Sequence, residues 1–156
     1  VILNSKINGY WIPRKNLFLG RYLTKGGQYP DYTLRLYRKG KGRLPGKDVH
    51  EQAIVEGEVG YLNFPLLHKR DRDFSTYINR FNRYTDLLAS QLGESKTNVH
   101  IFSFINFVLL KPSFWFIKAY LRHRGYVDGF PGFVFALFSS LRFPVSYFKL
   151  IIKQEK

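Results

Sequence analysis

Residues 29–52, YPDYTLRLYRKGKGRLPGKDVHEQ, place an alternating strand, a basic glycine-rich loop and the pair His50-Glu51 in one run. Leu34 and Leu36 alternate with Arg35 and Tyr37, the period of two that a strand with one buried face requires. Arg35 and Tyr37 then share a face, and Arg38 falls on the opposite one. Gly40-Lys41-Gly42 turns the chain. Guanidinium groups pair oxyanions in a two-point fork, so the cations of this stretch suit a phosphorylated ligand. A glutamate is ionised at neutral pH and can take a proton. Lys39, Lys41 and Arg43 read equally well as a solvated loop that keeps the protein soluble.

On either side the pattern is that of a mixed α/β chain. Gly9–Ile12 precedes the stretch as a short strand, and Val59–Phe64 follows it, ending at Pro65. Trp11 suits either a stacking surface for a ligand or a core. From Asp73 the period changes. Tyr77, Ile78, Phe81, Tyr84 and Leu88 fall on one helical stripe, with Arg80, Arg83 and Asp86 off it and Gly93 as the stop. Asp71-Arg72-Asp73 precedes this helix, where acidic residues suit the positive end of the dipole.

A chain of 156 residues fits one domain. Its net charge of +14 calls for an anionic partner: nucleic acid, acidic phospholipid or a nucleotide diphosphate. An aromatic share of 18% excludes a disordered basic tail. The chain has no cysteine, which excludes disulfides and thiolate metal sites. It also has no methionine, and VILNSKINGYW at its start reads as domain interior, so we expect the C-terminal piece of a longer protein.

Composition changes near Gly93. Residues 1–92 carry 16 Lys+Arg and 8 Asp+Glu, whereas 93–156 carry 9 and 3 around two uncharged runs, Val99–Leu110 and Gly129–Leu141. These runs have 12 and 13 residues, and crossing a bilayer takes about 20. Flanking cations and Trp115 are what a membrane interface selects, so 93–156 is expected as an apolar, basic helical tail at a membrane surface. A packed helical tail is the plainer alternative.

The series YWIPRKNLFLGRYLTKGGQYPDYTLRLYRKGKGR, then VHEQ, then a short strand and LLH, resembles the C-terminal half of family 2 glycosyltransferases of the Rossmann-like GT-A fold. The likeness is closest to bacterial lipopolysaccharide-core and polysaccharide glucosyltransferases, and KAYLRHRGYVDGFPGFVFAL resembles their C-terminal tail. The resemblance implies that 1–92 is the acceptor-side half of a GT-A catalytic domain. It implies Glu51 as the base that deprotonates an acceptor hydroxyl in inverting transfer, with His50 orienting its loop. Arg14, Asn16, Arg35 and Arg38 would bind substrate, and His68 would complete a divalent-cation site (Mg2+ or Mn2+). The family's Asp-x-Asp motif has no counterpart before Tyr10, and Asp71-Arg72-Asp73 lies on the wrong side of Glu51. Most of the metal site is therefore expected upstream of Val1.

The implied partners are a nucleotide-sugar donor, a glycan or lipid-linked acceptor and the cytoplasmic face of the inner membrane, bound peripherally. A nucleic-acid-binding module is the rival reading of the charge. The bases are dispersed along the chain, however, and no nucleic-acid motif is present. A non-catalytic membrane-surface protein is the third.

Overall fold

The computed structural model describes residues 6–46, 52–71, 73–95, 97 and 99–154. It is a mixed α/β chain in which strands precede helices. Contacts divide it into one unit of Val1–Asn16 with Gln28–His68, and a second of Leu17–Gly27 with Lys69–Lys156. The composition change near Gly93 is not a packing boundary. The helix that contains Gly93 belongs with the later helices.

In the first unit, β1 (Ile7–Phe18) pairs antiparallel with β3 (Asp31–Tyr37), setting Gly9 opposite Tyr37 and Arg14 opposite Asp31. On its other side it pairs in parallel with β6 (Glu58–Tyr61), whose last pair is Trp11 with Tyr61. β1 is much longer than the expected Gly9–Ile12. Pro13 falls beyond the last β6 pair, where a residue without an N–H can continue a strand. The basic loop becomes an arm in which β4 (Gly42–Arg43) pairs with β5 (Ile54–Val55). Gly42 is required there, since a Cβ would lie 2.5 Å from the Tyr37 ring. β6 stops at Tyr61, short of the expected Phe64, and β7 (Leu66–Asp71) also pairs with β1.

In the second unit the end of β1 folds back on β2 (Arg21–Tyr22). Leu19 and Gly20 both take positive φ, 47° and 79°, the two-residue turn whose twist matches a hairpin. Phe18 and Leu23 are buried with Tyr77 and Val134, and Phe135 and Phe138 pack against them. Burial pushes the Tyr77 phenol up to about 12.

Helix α1 (Phe74–Glu94) opens on Asp73, whose carboxylate accepts from Thr76 N at 2.7 Å and Thr76 Oγ1 at 2.9 Å. Those bonds hold the Asp73 carboxyl below its usual range. Asp71 pairs with Arg80 at 2.6 Å. Both acids of the Asp-x-Asp sequence thus serve the helix start, as its position suggested. The stripe needs adjustment: Tyr77, Thr85 and Ala89 are its buried residues, and Tyr84 is exposed. Gly93 does not stop the helix, which closes at Ser95.

The two uncharged runs grow into much longer helices. One continuous run covers Ile101–Arg122, 22 residues, and includes α2 (Ile101–Ile105) and α3 (Lys111–Ile117) joined by π-helical turns. After a left-handed residue at Arg124 (φ 55°), a second run covers Gly125–Gln154, 30 residues, mostly α4 (Gly129–Gln154). By length and composition both could cross a membrane, which corrects the expectation of helices too short to do so. The reason is that Lys111 and Arg142 do not end their helices. Lys111 Nζ sits 3.7 Å from the Phe107 ring centre, and the Arg142 guanidinium lies 4.7 Å from Trp115 and 4.8 Å from Phe143. Pro112 falls inside the first run just after the π-helical turn Asn106–Leu110, and Pro144 falls inside α4; each leaves one rung of its helix without an N–H.

The turn between the runs is close-packed. A Cβ on Gly132 would strike the Gly125 carbonyl oxygen, and one on Gly125 would lie 2.8 Å from the Ala119 carbonyl oxygen. Asp128, 1% exposed, accepts from Thr24 N, Thr24 Oγ1 at 2.7 Å and Lys25 N at 2.8 Å, fixing the segment after β2. Along α1, Lys149 Nζ donates to Asn82 Oδ1 at 2.6 Å and Thr85 Oγ1 at 2.9 Å and pairs with Asp86 at 2.8 Å.

Candidate functional site

Three of the residues singled out in the sequence meet in the first unit. Arg14 and Asn16 lie two apart on β1 and so share a face, and antiparallel pairing sets Asp31 of β3 directly opposite Arg14. Asp31 Oδ2 accepts from Arg14 Nε at 2.9 Å, Arg14 Nη2 at 2.6 Å and Asn16 Nδ2 at 3.0 Å. The Asn16 Oδ1 in turn lies 3.0 Å from His68 Nδ1 on β7. With the Asn16 amide nitrogen spent on the carboxylate, its oxygen must accept, so Nδ1 of His68 carries a proton. In the neutral ring the lone pair then resides on Nε2.

This network has clear chemical consequences. Asp31 Oδ2 takes three donors, which fixes the Arg14 and Asn16 side chains in place. Arg14 is held on its Nε–Nη2 edge, which leaves the Nη1 side to meet an oxyanion with little further loss of side-chain freedom. The pair is partly exposed, 24% and 33% at the two side chains, so solvent moderates its strength. Asp31 escaped the sequence reading. Its register opposite Arg14 was the missing information, and YPDY carries no signal for it.

The other substrate candidates lie elsewhere. Arg35 is exposed. The Arg38 backbone donates to Asn8 O at 2.9 Å, about 20 Å along β1 from Arg14, and Arg38 helps line a cavity of about 300 Å³ with Tyr10, Leu36 and Tyr37. Glu51 and His50 lie outside the described residues. Gln52, the next residue, is described: its Oε1 accepts from the buried Leu34 backbone N at 3.0 Å, which pins this point of the chain to β3. On the Trp11 face of β1, Trp11 stacks on Tyr61 (6.4 Å, 19°) and Tyr32 meets Tyr61 edge-on at 5.2 Å. Tyr61 is 63% exposed, so this is a surface platform and not core. Among the described residues no three ligating side chains gather as a metal site.

No family model matches the sequence, and no solved structure matches it. The chain is 30% identical over 136 residues, 86% of its length, to the lipopolysaccharide core biosynthesis glycosyltransferase LpsC of Rhizobium meliloti (strain 1021). It spans about half, 49%, of that relative's length. What the chain is similar to is thus a lipopolysaccharide core glycosyltransferase, matching the resemblance carried by its β1–β3 and His50-Glu51 segments.

Proposed function

We propose that this chain forms the acceptor side of a sugar-transfer site, in an inverting family 2 glycosyltransferase of GT-A fold that builds lipopolysaccharide or a related envelope glycan. The observation that carries the reading is the likeness to LpsC across 86% of the chain. The Arg14–Asp31–Asn16–His68 network supports it by placing an oriented guanidinium and imidazole on one sheet face. In the reaction an acceptor hydroxyl attacks the anomeric carbon of a nucleotide sugar. Its proton passes to the Glu51 carboxylate, and the bond to the nucleotide diphosphate breaks with its electron pair on the departing phosphate oxygen. Arg14 Nη1 would meet an oxyanion of donor or acceptor, and Gln52 would hold the segment that carries the base. Residues 93–156 would bring the site to the cytoplasmic face of the inner membrane, where a lipid-linked acceptor is presented.

A divalent cation is the expected cofactor of such a transfer. Around His68 the described residues gather no set of carboxylates, so they do not form the cation's cage. If His68 ligates such an ion, His68→Ala in the full-length protein weakens Mn2+ affinity by about 10-fold or more, read by titration. Unchanged affinity removes His68 from the metal site.

The orienting network is tested by a mutant cycle. Asp31→Ala and Arg14→Ala should each lower sugar transfer by about 10-fold or more, the double variant falling little further, because Arg14 acts only when Asp31 holds it. Strictly additive losses would separate the two. No consumption of any nucleotide sugar by the full-length protein would overturn the function itself.

A further inference from the structure

Lys111, Lys118 and Arg142 form a row of cations that no carboxylate among the described residues answers. Lys111 lies over Phe107 and within 6.0 Å of Phe143, Arg142 over Phe143 and Trp115, and Lys118 Nζ is 4.6 Å from Trp115 and 5.8 Å from Phe114. Cations and rings thus make one continuous strip along the two long helices. All three cations are half-buried, and among the described residues no side-chain hydrogen bond or ion pair reaches the Lys111 and Lys118 ammonium groups or the Arg142 guanidinium. Around the strip, Phe102, Leu110, Phe114 and Phe130 are each at least 60% exposed. An unanswered cation row amid exposed aromatic rings matches the boundary between phosphate headgroups and acyl chains.

The same residues decide how the helices meet a membrane. Were Ile101–Arg122 to span, Lys111 would stand at mid-depth without a counter-ion, a costly position. α4 is also covered along its length by α1: Phe138 touches Phe74, Tyr77 and Phe81, Lys149 holds Asn82 and Asp86, and Lys153 bonds Ser90. A spanning α4 would draw the charged α1, with Arg83 and Glu94 exposed, into hydrocarbon.

We infer that residues 101–154 lie in the plane of the membrane interface, with Lys111, Lys118 and Arg142 binding the phosphates of anionic lipid headgroups. The inference rests on the membrane-surface reading of 93–156 and adds to it a site, a ligand class and an orientation.

Flotation of the 156-residue chain with phosphatidylcholine vesicles, with and without one third phosphatidylglycerol, tests it. K111Q/K118Q/R142Q should lose on the order of 100-fold in affinity for the anionic vesicles. K39Q/K41Q/R43Q removes the same charge from the basic loop and should lose less than about 10-fold. Equal losses in the two variants would reduce the strip to net charge and overturn the site. Equal binding to both vesicles, unaffected by the strip variant, would overturn the phosphate site while leaving the membrane reading intact. Failure of the unmodified chain to float with either vesicle would overturn both. Should the triple variant lose helicity, K118Q alone should lose about 5-fold, and unchanged affinity there overturns the site.

Discussion

Asp128→Ala is expected to destabilise the second unit by about 3–5 kcal/mol, a large part of the total stability of an ordinary domain. The side chain is 1% exposed and answers three donors on Thr24 and Lys25. Removing it takes the acceptor from two backbone N–H groups and a hydroxyl on half-buried Thr24 and exposed Lys25, and fully buried unmet donors would cost about 1–3 kcal/mol each. Some are recovered by water, which is why the total is less than three such losses. Asp128→Asn should fall between, since the amide keeps one acceptor but turns an NH2 toward the donors. Denaturant unfolding in mild detergent, followed by the helical signal, gives the measurement. A change below about 0.5 kcal/mol for Asp128→Ala would mean the Thr24–Lys25 segment is held by other contacts.

The second large effect belongs to the chemistry. Glu51→Gln in the full-length protein should lower turnover by about 10²-fold or more, equivalent to about 2.7 kcal/mol of barrier, with KM for the donor nearly unchanged. Glutamine keeps the size of the side chain but loses the charge and the capacity to accept a proton. Near-normal turnover would exclude Glu51 as the base.

The sequence made short-range features plain and long-range ones obscure. β3 was legible because Leu34 and Leu36 alternate cleanly. The second half of β1 was not, because Pro13 followed by Arg14-Lys15-Asn16 hides the alternation, and its pairing partners lie far along the chain. α1 announced itself by its stripe, although Thr85 displaced Tyr84 from the buried side because Lys149 of α4 reaches it there. The ends of the two apolar helices are hidden in the sequence for an electrostatic reason: charge normally marks a boundary, but here the cations rest on aromatic faces, Lys111 and Lys118 mainly on rings of their own helix and Arg142 on rings of both. At the candidate site, Arg14, Asn16 and His68 were named by the family resemblance. Only strand register could supply Asp31, and only the fold could show that Gln52 bonds Leu34. The charge-based choice of Arg35 and Arg38 did not bring them to Arg14, because a strand spreads its residues over a distance that composition does not record.

The glycine contact at the hairpin turn has a consequence for how this region can vary. Gly132 meets the Gly125 carbonyl within the second run, and Gly125 meets the Ala119 carbonyl of the first, so the spacing of the two long helices at the turn is set through Gly125 by hydrogen atoms, with little room for a methyl group. The hairpin therefore tolerates substitution as a lock tolerates keys. The many exposed apolar positions can drift among Leu, Ile and Phe, while these two admit one residue type each, and lineages that lose either must rebuild the turn before they can keep the helices paired.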